Sequence, residues 1–384
     1  MNFPIEHFAG VKTPFYYYDK NLLQKTLDTI NTEAAKHPAF RVHYAVKANV
    51  DPTVLGIINR SGLGCDCVSG GEVETCLKAG FPASKVVFAG VGKADWEINL
   101  ALDADIACFN VESIPELEVI DELAAAKGKV ARVAIRVNPN VDAHTHKYIT
   151  TGLSENKFGI SMEMLDDVIA LAMKLKNVKL IGLHFHIGSQ LLELEPFAML
   201  CDRINKLQEH VESMGIRLET INVGGGLGCD YVNPDENPIP DFGSFFDNYA
   251  KHLQLREGQE LHFELGRSVV CQCGSLISKV LYVKEGLNKK FVILDAGMSD
   301  LIRPALYQAH HNIENISAQA AGVQETDKYD VVGPICESSD CFGTDEVLPV
   351  TKRGDLVALR SAGAYGQIMA SHYNCRAIPA SVVL

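Results

Sequence analysis

The chain has 384 residues, 47% of them hydrophobic and 22% charged, with a formal net charge of −13. That length predicts two or three domains of ~150 residues with a sizeable core, and a barrel alone can take ~250. The acidic balance speaks against a nucleic-acid binder, and no run nears the ~18 apolar residues of a membrane span.

The N-terminus, residues 1–7, lacks the basic-then-apolar order of a secretory signal, so a cytoplasmic protein with reduced thiols is expected. The eleven cysteines then read mostly as core residues. Cys65/Cys67 and Cys271/Cys273 are spaced C-x-C, which on a strand puts both on one face, and neither pair has the C-x-x-C spacing typical of zinc.

Residues 14–19 read as a small extended piece, and a helix starts near Asn21. From Arg41 onward, strand-like runs rich in Val, Ile and Phe alternate with helical patterns. The predicted strands span 42–48, 64–69, 85–90, 106–110, 130–138, 178–188, 220–228 and 260–267. The predicted helices span 52–61, 71–79, 114–126, 162–175, 196–214 and 242–255. Leu165, Val168, Ile169, Ala172 and Leu175 show the spacing of one apolar helix face.

Eight strands alternating with helices predict an α/β fold built on a (β/α)8 barrel, over residues 29–267. A doubly wound open sheet is the competing architecture, but no G-x-G-x-x-G follows the first strand. After Arg267 the helical patterns thin out. Runs at 269–271, 276–283, 291–294, 328–332 and 355–359 predict a β-rich second domain made of residues 1–28 and 268–384.

Barrel enzymes build their sites at the C-terminal ends of the strands, and there the unusual residues gather. Lys47 ends the first strand, and Asp66 with S-G-G (69–71) closes the second. Arg136 and Asn138 close the fifth. His184 and His186 share a face of the sixth, which runs on into Ile187, Gly188 and Ser189. The run G-G-G-L-G (224–228) follows the seventh, and Glu264 with Arg267 ends the eighth.

Each feature has a plainer reading. Lys47 can snorkel to water, the histidines can be core residues or an H-x-H metal pair, Glu264 can pair with Arg267, and the glycines can form a tight turn. Together they suit one ligand, pyridoxal phosphate (PLP). The lysine would form a Schiff base, Gly224, Gly225 and Gly226 would hold the phosphate, Glu264 would keep the pyridine nitrogen protonated, and His186 could stack on the ring.

The motifs YAVKAN (44–49), HFHIGSQ (184–190), GGGLG (224–228) and ELGR (264–267) resemble the PLP-dependent decarboxylases with an alanine-racemase-type barrel. In the second half, DAGMSDLIRPALY (295–307), GPICES (333–338) and AGAYG (362–366) are similar to the diaminopimelate decarboxylase family, from about Thr13 to Pro379.

The resemblance implies decarboxylation of meso-2,6-diaminopimelate to L-lysine and CO2 in a homodimer with a composite site and no bound metal. It implies Lys47, Cys336 and His186 as catalytic, with Cys336 the proton donor. It implies that Lys47, Asp66, His186, Ser189, Gly224, Gly225, Gly226, Glu264, Arg267 and Tyr365 hold the cofactor. Arg267, Arg303, Tyr307, Glu337 and Tyr365 are implied to hold the substrate, with Cys336 and Glu337 coming from the partner subunit.

Diaminopimelate has a second amino-acid head that ornithine lacks, so its distal carboxylate calls for a cation, and Arg303 has the right fork. Departures from the family pattern are Leu265 for the usual Pro, Ser299 for Asn, and the ending RAIPAS (376–381). They leave the breadth of specificity open. A decarboxylase of ornithine or arginine is the alternative activity, and a racemase or a PLP-binding protein without catalysis would be different classes.

Overall fold

The computed structural model describes residues 3–139 and 157–384. The stretch 140–156, although covered by the family resemblance, lies outside the described residues, as do residues 1 and 2. The chain divides into two compact units. One comprises Thr26–Gly228 and Asp241–Gly266; the other comprises Met1–Lys25, Cys229–Pro240 and Arg267–Leu384.

The first strand, Phe15–Tyr18 (β1), belongs to the second of these units. Eight strands then form the first: Phe40–Ala45 (β2), Gly64–Cys67 (β3), Val86–Phe88 (β4), Cys108–Val111 (β5), Ala131–Arg136 (β6), Val178–His184 (β7), Thr220–Asn222 (β8) and Glu260–Leu265 (β9). They pair in parallel in chain order and close by β2 against β9, with Phe40–Tyr44 opposite Leu261–Leu265. All eight expected barrel strands are present.

The intervening helices are set by their first turns. Asp51 accepts from the N–H groups of Thr53 and Val54 to cap Pro52–Arg60, Ser69 caps Gly70–Lys78, and Ser113 caps Ile114–Ala126. Each such cap stabilises by about 1 kcal/mol and fixes where a loop on the C-terminal face turns into helix. The barrel interior packs Val87, Cys108, Ala134 and Ile181. Outside it, Phe245, Phe246 and Tyr249 meet Phe263 ring against ring, Phe40 packs on Phe246 and Phe263, and Phe197 packs on Phe245 and Tyr249. Each fully buried aromatic of this kind contributes about 3 kcal/mol before entropy is counted.

Two expectations for this unit need correction. The first barrel strand, β2, ends at Ala45, and Lys47 lies on a single 3-10 turn, Val46–Ala48. The Tyr44 hydroxyl donates to the Asn49 carbonyl at 2.9 Å, and the Asn49 N–H donates to the Val46 carbonyl, which together pull the strand end into the turn. A helix at Asp95–Ala104 was not expected. Its Glu97 is buried because the carboxylate accepts from the N–H groups of Ala94 and Gly70, a use of charge that no apolar periodicity records.

The second unit is a mixed β-sheet. Its further strands are Gly274–Glu285 (β10), Lys290–Leu294 (β11), Ile313–Asn315 (β12), Thr326–Val332 (β13), Cys341–Pro349 (β14), Leu356–Leu359 (β15) and Ala380–Val383 (β16). The order is β12-β15-β10-β11-β13-β14, with β1 joining β10 antiparallel and β16 joining β1 in parallel. The N-terminal extended piece is therefore a strand of this sheet. Phe8, Phe15, Tyr17, Ile277, Ile316 and Ala358 form its core.

The expected strand at 269–271 is instead the short helix Arg267–Val270, closed by the Cys271 N–H on the Arg267 carbonyl. Val269 and Val270 are buried, so packing overrides their β-branched preference. Cys271 and Cys273 therefore do not share a strand face. Strands β12, β14 and β16 were not anticipated, being short or, in β14, interrupted by Gly, Asp and Glu. Among the described residues, eight of the eleven cysteines are buried and all are free thiols.

Candidate active site

In the barrel unit the organising group is Glu264, at the end of β9 and 7% exposed. Its Oε2 lies 3.0 Å from His184 Nε2, and its Oε1 accepts from Asn222 Nδ2 at 2.7 Å and Asn110 Nδ2 at 3.1 Å. Burial alone would raise its pKa, but the charge and hydrogen bond of His184 outweigh burial and hold the carboxyl well below the ordinary range. The result is a permanent anion inside the barrel, supported by donors from three other strands. Asn110 and Asn222 were missed by the sequence reading, and His184 was read as a core or metal histidine. The available signal was a polar side chain at or next to the end of each of β5, β7 and β8.

Asp66 on β3 behaves in the opposite way. Burial, and then the nearby charge of Glu264, push its pKa well above the ordinary carboxyl value. Its Oδ1 is buried with no hydrogen-bond partner among the described residues. Burial, followed by the charges of Lys47 and Arg136, pushes His186 well below the ordinary imidazole value, so it is a neutral ring at neutral pH. Its Nδ1 accepts from the Gly225 N–H at 3.3 Å.

Lys47 itself is exposed, and exposure alone fits a solvated lysine. Its charge acts on Asp66, Glu72 and His186, so its ammonium looks onto the same cluster.

The glycine run is crowded from behind. A Cβ on Gly225 would stand 2.1 Å from the Glu264 carbonyl oxygen, and one on Gly224 would stand 2.5 Å from that of Phe185. Gly224 and Gly226 also have φ of +68° and +119°. The run thus seats its backbone against β7 and β9, and it is more than a plain turn. Ser189 is half-buried beside Gly188. Arg136 is absorbed by a buried ion pair with Glu112 at 2.8 Å, so it takes a structural role.

The second unit gathers a cationic cluster. Arg303 opens the helix Arg303–Tyr307, with Tyr307 one turn away and half-buried. Arg303 is 5% exposed, and among the described residues it has no carboxylate partner. It hydrogen-bonds His311 at 3.0 Å, and its guanidinium lies over the Tyr231 ring, 4.6 Å from the centroid. Among the described residues, the surface salt bridge that was its plainer reading is absent.

Arg267, also buried, donates to the Tyr231 hydroxyl at 2.6 Å and lies 4.9 Å from the centroid of the Tyr365 ring. Tyr231 and His311 are further residues that the sequence reading missed. Cys336 and Glu337 are exposed on a loop organised by Asp340, whose carboxylate accepts from the N–H groups of Ile335 and Met298, both at 2.6 Å. Tyr373 and Ser339 donate to Glu337.

In the barrel, an ionised carboxylate, a second buried carboxyl oxygen without a partner, a neutral imidazole, an amine and a glycine-rich backbone fit PLP. The first suits a protonated ring nitrogen, and the amine suits an aldehyde. Among the described residues, no cluster of His, Cys, Asp and Glu has the makings of a metal site.

Comparison with known proteins agrees with that chemistry. Residues 23–271 match the family described as pyridoxal-dependent decarboxylase, pyridoxal binding domain. The chain is 64% identical to the diaminopimelate decarboxylase of Bacteroides thetaiotaomicron, over 98% of this chain and 97% of that protein. The crystal structure of diaminopimelate decarboxylase from Helicobacter pylori complexed with L-lysine superposes with a TM-score of 0.92 at 42% identity, covering 99% of this chain and 93% of that one. A lysine/ornithine decarboxylase from Vibrio vulnificus shares the fold, at 23% identity and a TM-score of 0.85, over 99% of this chain and 97% of that one. With its pyridoxal-binding domain and a relative matched along nearly the whole length of both chains, this chain belongs to the diaminopimelate decarboxylases, within the pyridoxal-dependent decarboxylase family.

Proposed function

We propose that the protein decarboxylates meso-2,6-diaminopimelate to L-lysine and CO2, as a cytoplasmic homodimer using PLP. The observation that carries the substrate is Arg303. A buried guanidinium without a carboxylate partner among the described residues is costly unless an anion arrives with the ligand. Diaminopimelate brings that anion in its distal carboxylate, whereas ornithine has none. The relatives named above support the same substrate.

When bound, PLP supplies an electron sink for the pair left on the carbon that loses CO2. In this reading Lys47 is the covalent attachment point for the cofactor. Gly224, Gly225, Gly226 and Ser189 bind its phosphate, and Glu264 holds a positive charge on the ring nitrogen. His186 offers a neutral ring face, and Asp66 adds a polar group to the cofactor's surroundings. Arg267, Tyr307 and Tyr365 contact cofactor or substrate. Glu337 binds the distal ammonium, and Cys336 delivers a proton to the carbon from which CO2 departs.

The exposure of Cys336 and Glu337 on their own chain supports their working in the partner's site. Turnover tests the substrate: stoichiometric CO2 from meso-diaminopimelate, with little from ornithine or arginine, is expected, and a preference for either of those would refute it. Mixing Lys47→Ala with Cys336→Ala subunits tests the composite site. Random exchange in a two-fold dimer should restore about a quarter of wild-type activity, and no recovery would place both residues in one chain's site.

A further inference from the structure

We infer that His311 is a positioning residue for substrate recognition, fixing the plane of the Arg303 guanidinium so that its free edge meets the carboxylate of the incoming ligand. The inference rests on the reading of Arg303 given above and adds the device that aims it.

His311 is fully buried, and both ring nitrogens are committed. Nε2 lies 3.0 Å from Arg303 Nη1, and Nδ1 lies 2.8 Å from the backbone carbonyl of Arg360. Guanidinium can only donate and a carbonyl can only accept, so one arrangement satisfies both bonds: Nδ1–H donates to Arg360, and the Nε2 lone pair accepts from Arg303. An imidazolium would set N–H against N–H. Burial, and then the charge of Arg303, push the His311 pKa down to about 3, which keeps the ring neutral at working pH.

The second constraint on Arg303 is the Tyr231 face beneath it. Tyr231 is held in turn by Arg267 at its hydroxyl, by an edge-to-face contact with His311 (ring centroids 5.2 Å apart, 84° between planes), and by the Asn312 N–H on its carbonyl. The carbonyl that anchors His311 belongs to Arg360, which is itself buried and paired with Asp235 and Glu314. One hydrogen bond and one stacked face fix a flat guanidinium, and its remaining N–H groups present a fork to a carboxylate. A histidine that merely filled core space would need neither the forced tautomer nor the anchored carbonyl.

Two isosteric variants of the full-length, cofactor-loaded protein separate these roles. His311→Asn keeps a donor for the Arg360 carbonyl and loses the acceptor facing Arg303, whereas His311→Gln returns an amide oxygen to the Nε2 position. L-lysine retains the distal head of diaminopimelate, and cadaverine is the same chain without a carboxylate.

For His311→Asn, the KM for diaminopimelate and the calorimetric Kd for L-lysine should rise in parallel by about tenfold, the cost of one charge-assisted hydrogen bond. The kcat should stay within about twofold and the Kd for cadaverine should not change. His311→Gln should recover most of the loss. Equal losses in both variants, a fall in kcat alone, or equal weakening of cadaverine would overturn the inference.

Arg303→Gln is the control. If it leaves the KM and the L-lysine Kd unchanged, the reading of Arg303 fails; if it weakens both while His311→Asn does not, only the positioning role fails. Nitrogen-15 NMR of wild-type His311 needs no variant. It should show Nδ1 protonated and Nε2 bare between about pH 5 and 9, and a protonated Nε2 would refute the geometry.

Discussion

Replacing Glu264 by Gln removes one charge and almost no volume, so its effects on folding and on chemistry can be calculated separately. In the fold, the amide oxygen can still accept from Asn110 and Asn222 on the Oε1 side. The amide NH2 then faces His184 Nε2, which must turn acceptor; its Nδ1 has no partner among the described residues, so the tautomer can change. All three hydrogen bonds survive as neutral ones. A charge-assisted bond contributes ~1.5–3 kcal/mol and a neutral one ~0.5–1.5, so each bond weakens by roughly 1 kcal/mol and the three together cost about 3 kcal/mol of stability.

The pH dependence should change as well. Because the native carboxyl sits below its ordinary 4.5, its contribution is complete above that value and drains as pH falls beneath it. The Gln variant lacks that acid-side loss.

The chemistry suffers more. A unit charge pair at hydrogen-bonding separation, roughly 3 Å, is worth about 5 kcal/mol at an effective dielectric of ~20. Losing most of it in the transition state lowers kcat by about a thousandfold. Urea unfolding, cofactor titration by absorbance and CO2 release measure the three effects separately. A variant that binds PLP and retains kcat within tenfold of wild type would refute the role given to this carboxylate.

Lys47→Ala should abolish both turnover and the visible absorbance of lysine-bound cofactor, and a borohydride-trappable adduct in the variant would put the attachment elsewhere. Gly225→Ala sets a Cβ 2.1 Å from the Glu264 carbonyl oxygen, and backbone on both sides prevents easy relief. Thermal melts should show destabilisation of about 3 kcal/mol, the upper end for overpacking, and an unchanged melt would mean the loop moves freely. Asp300 is raised to about 6 by burial, so the fold favours its protonated form: its own contribution to stability is fullest below the ordinary 3.8 and declines as pH rises from there to about 6. Asp300→Asn should remove that decline, and parallel curves of stability against pH for the two proteins would contradict it.

Much of the barrel was legible because each of its signals is local. Asp51-Pro52, Ser69 and Ser113 announce helix starts within four residues, and the alternation of apolar runs marks all eight strands. The second unit was less legible: β14 carries an exposed Asp and a half-buried Glu, and β12 and β16 are too short for a period to emerge.

Lys47, Glu264 and the glycine run stand out by residue type alone: an amine, a carboxylate and four residues without side chains, each at a strand end. Residue type could also suggest that a buried Arg303 needs an anion. What Lys47 faces, however, is a property of closure. Positions 110, 184, 222 and 264 meet only when eight strands curl into a ring, and that meeting makes Glu264 a permanent anion rather than a neutral acid. In the same way, positions 231, 303 and 311 converge only in the folded second unit. Composition and local pattern determine which chemical groups are present and on which elements. The tertiary structure decides their partners, and in a buried site the partners set charge, tautomer and aim.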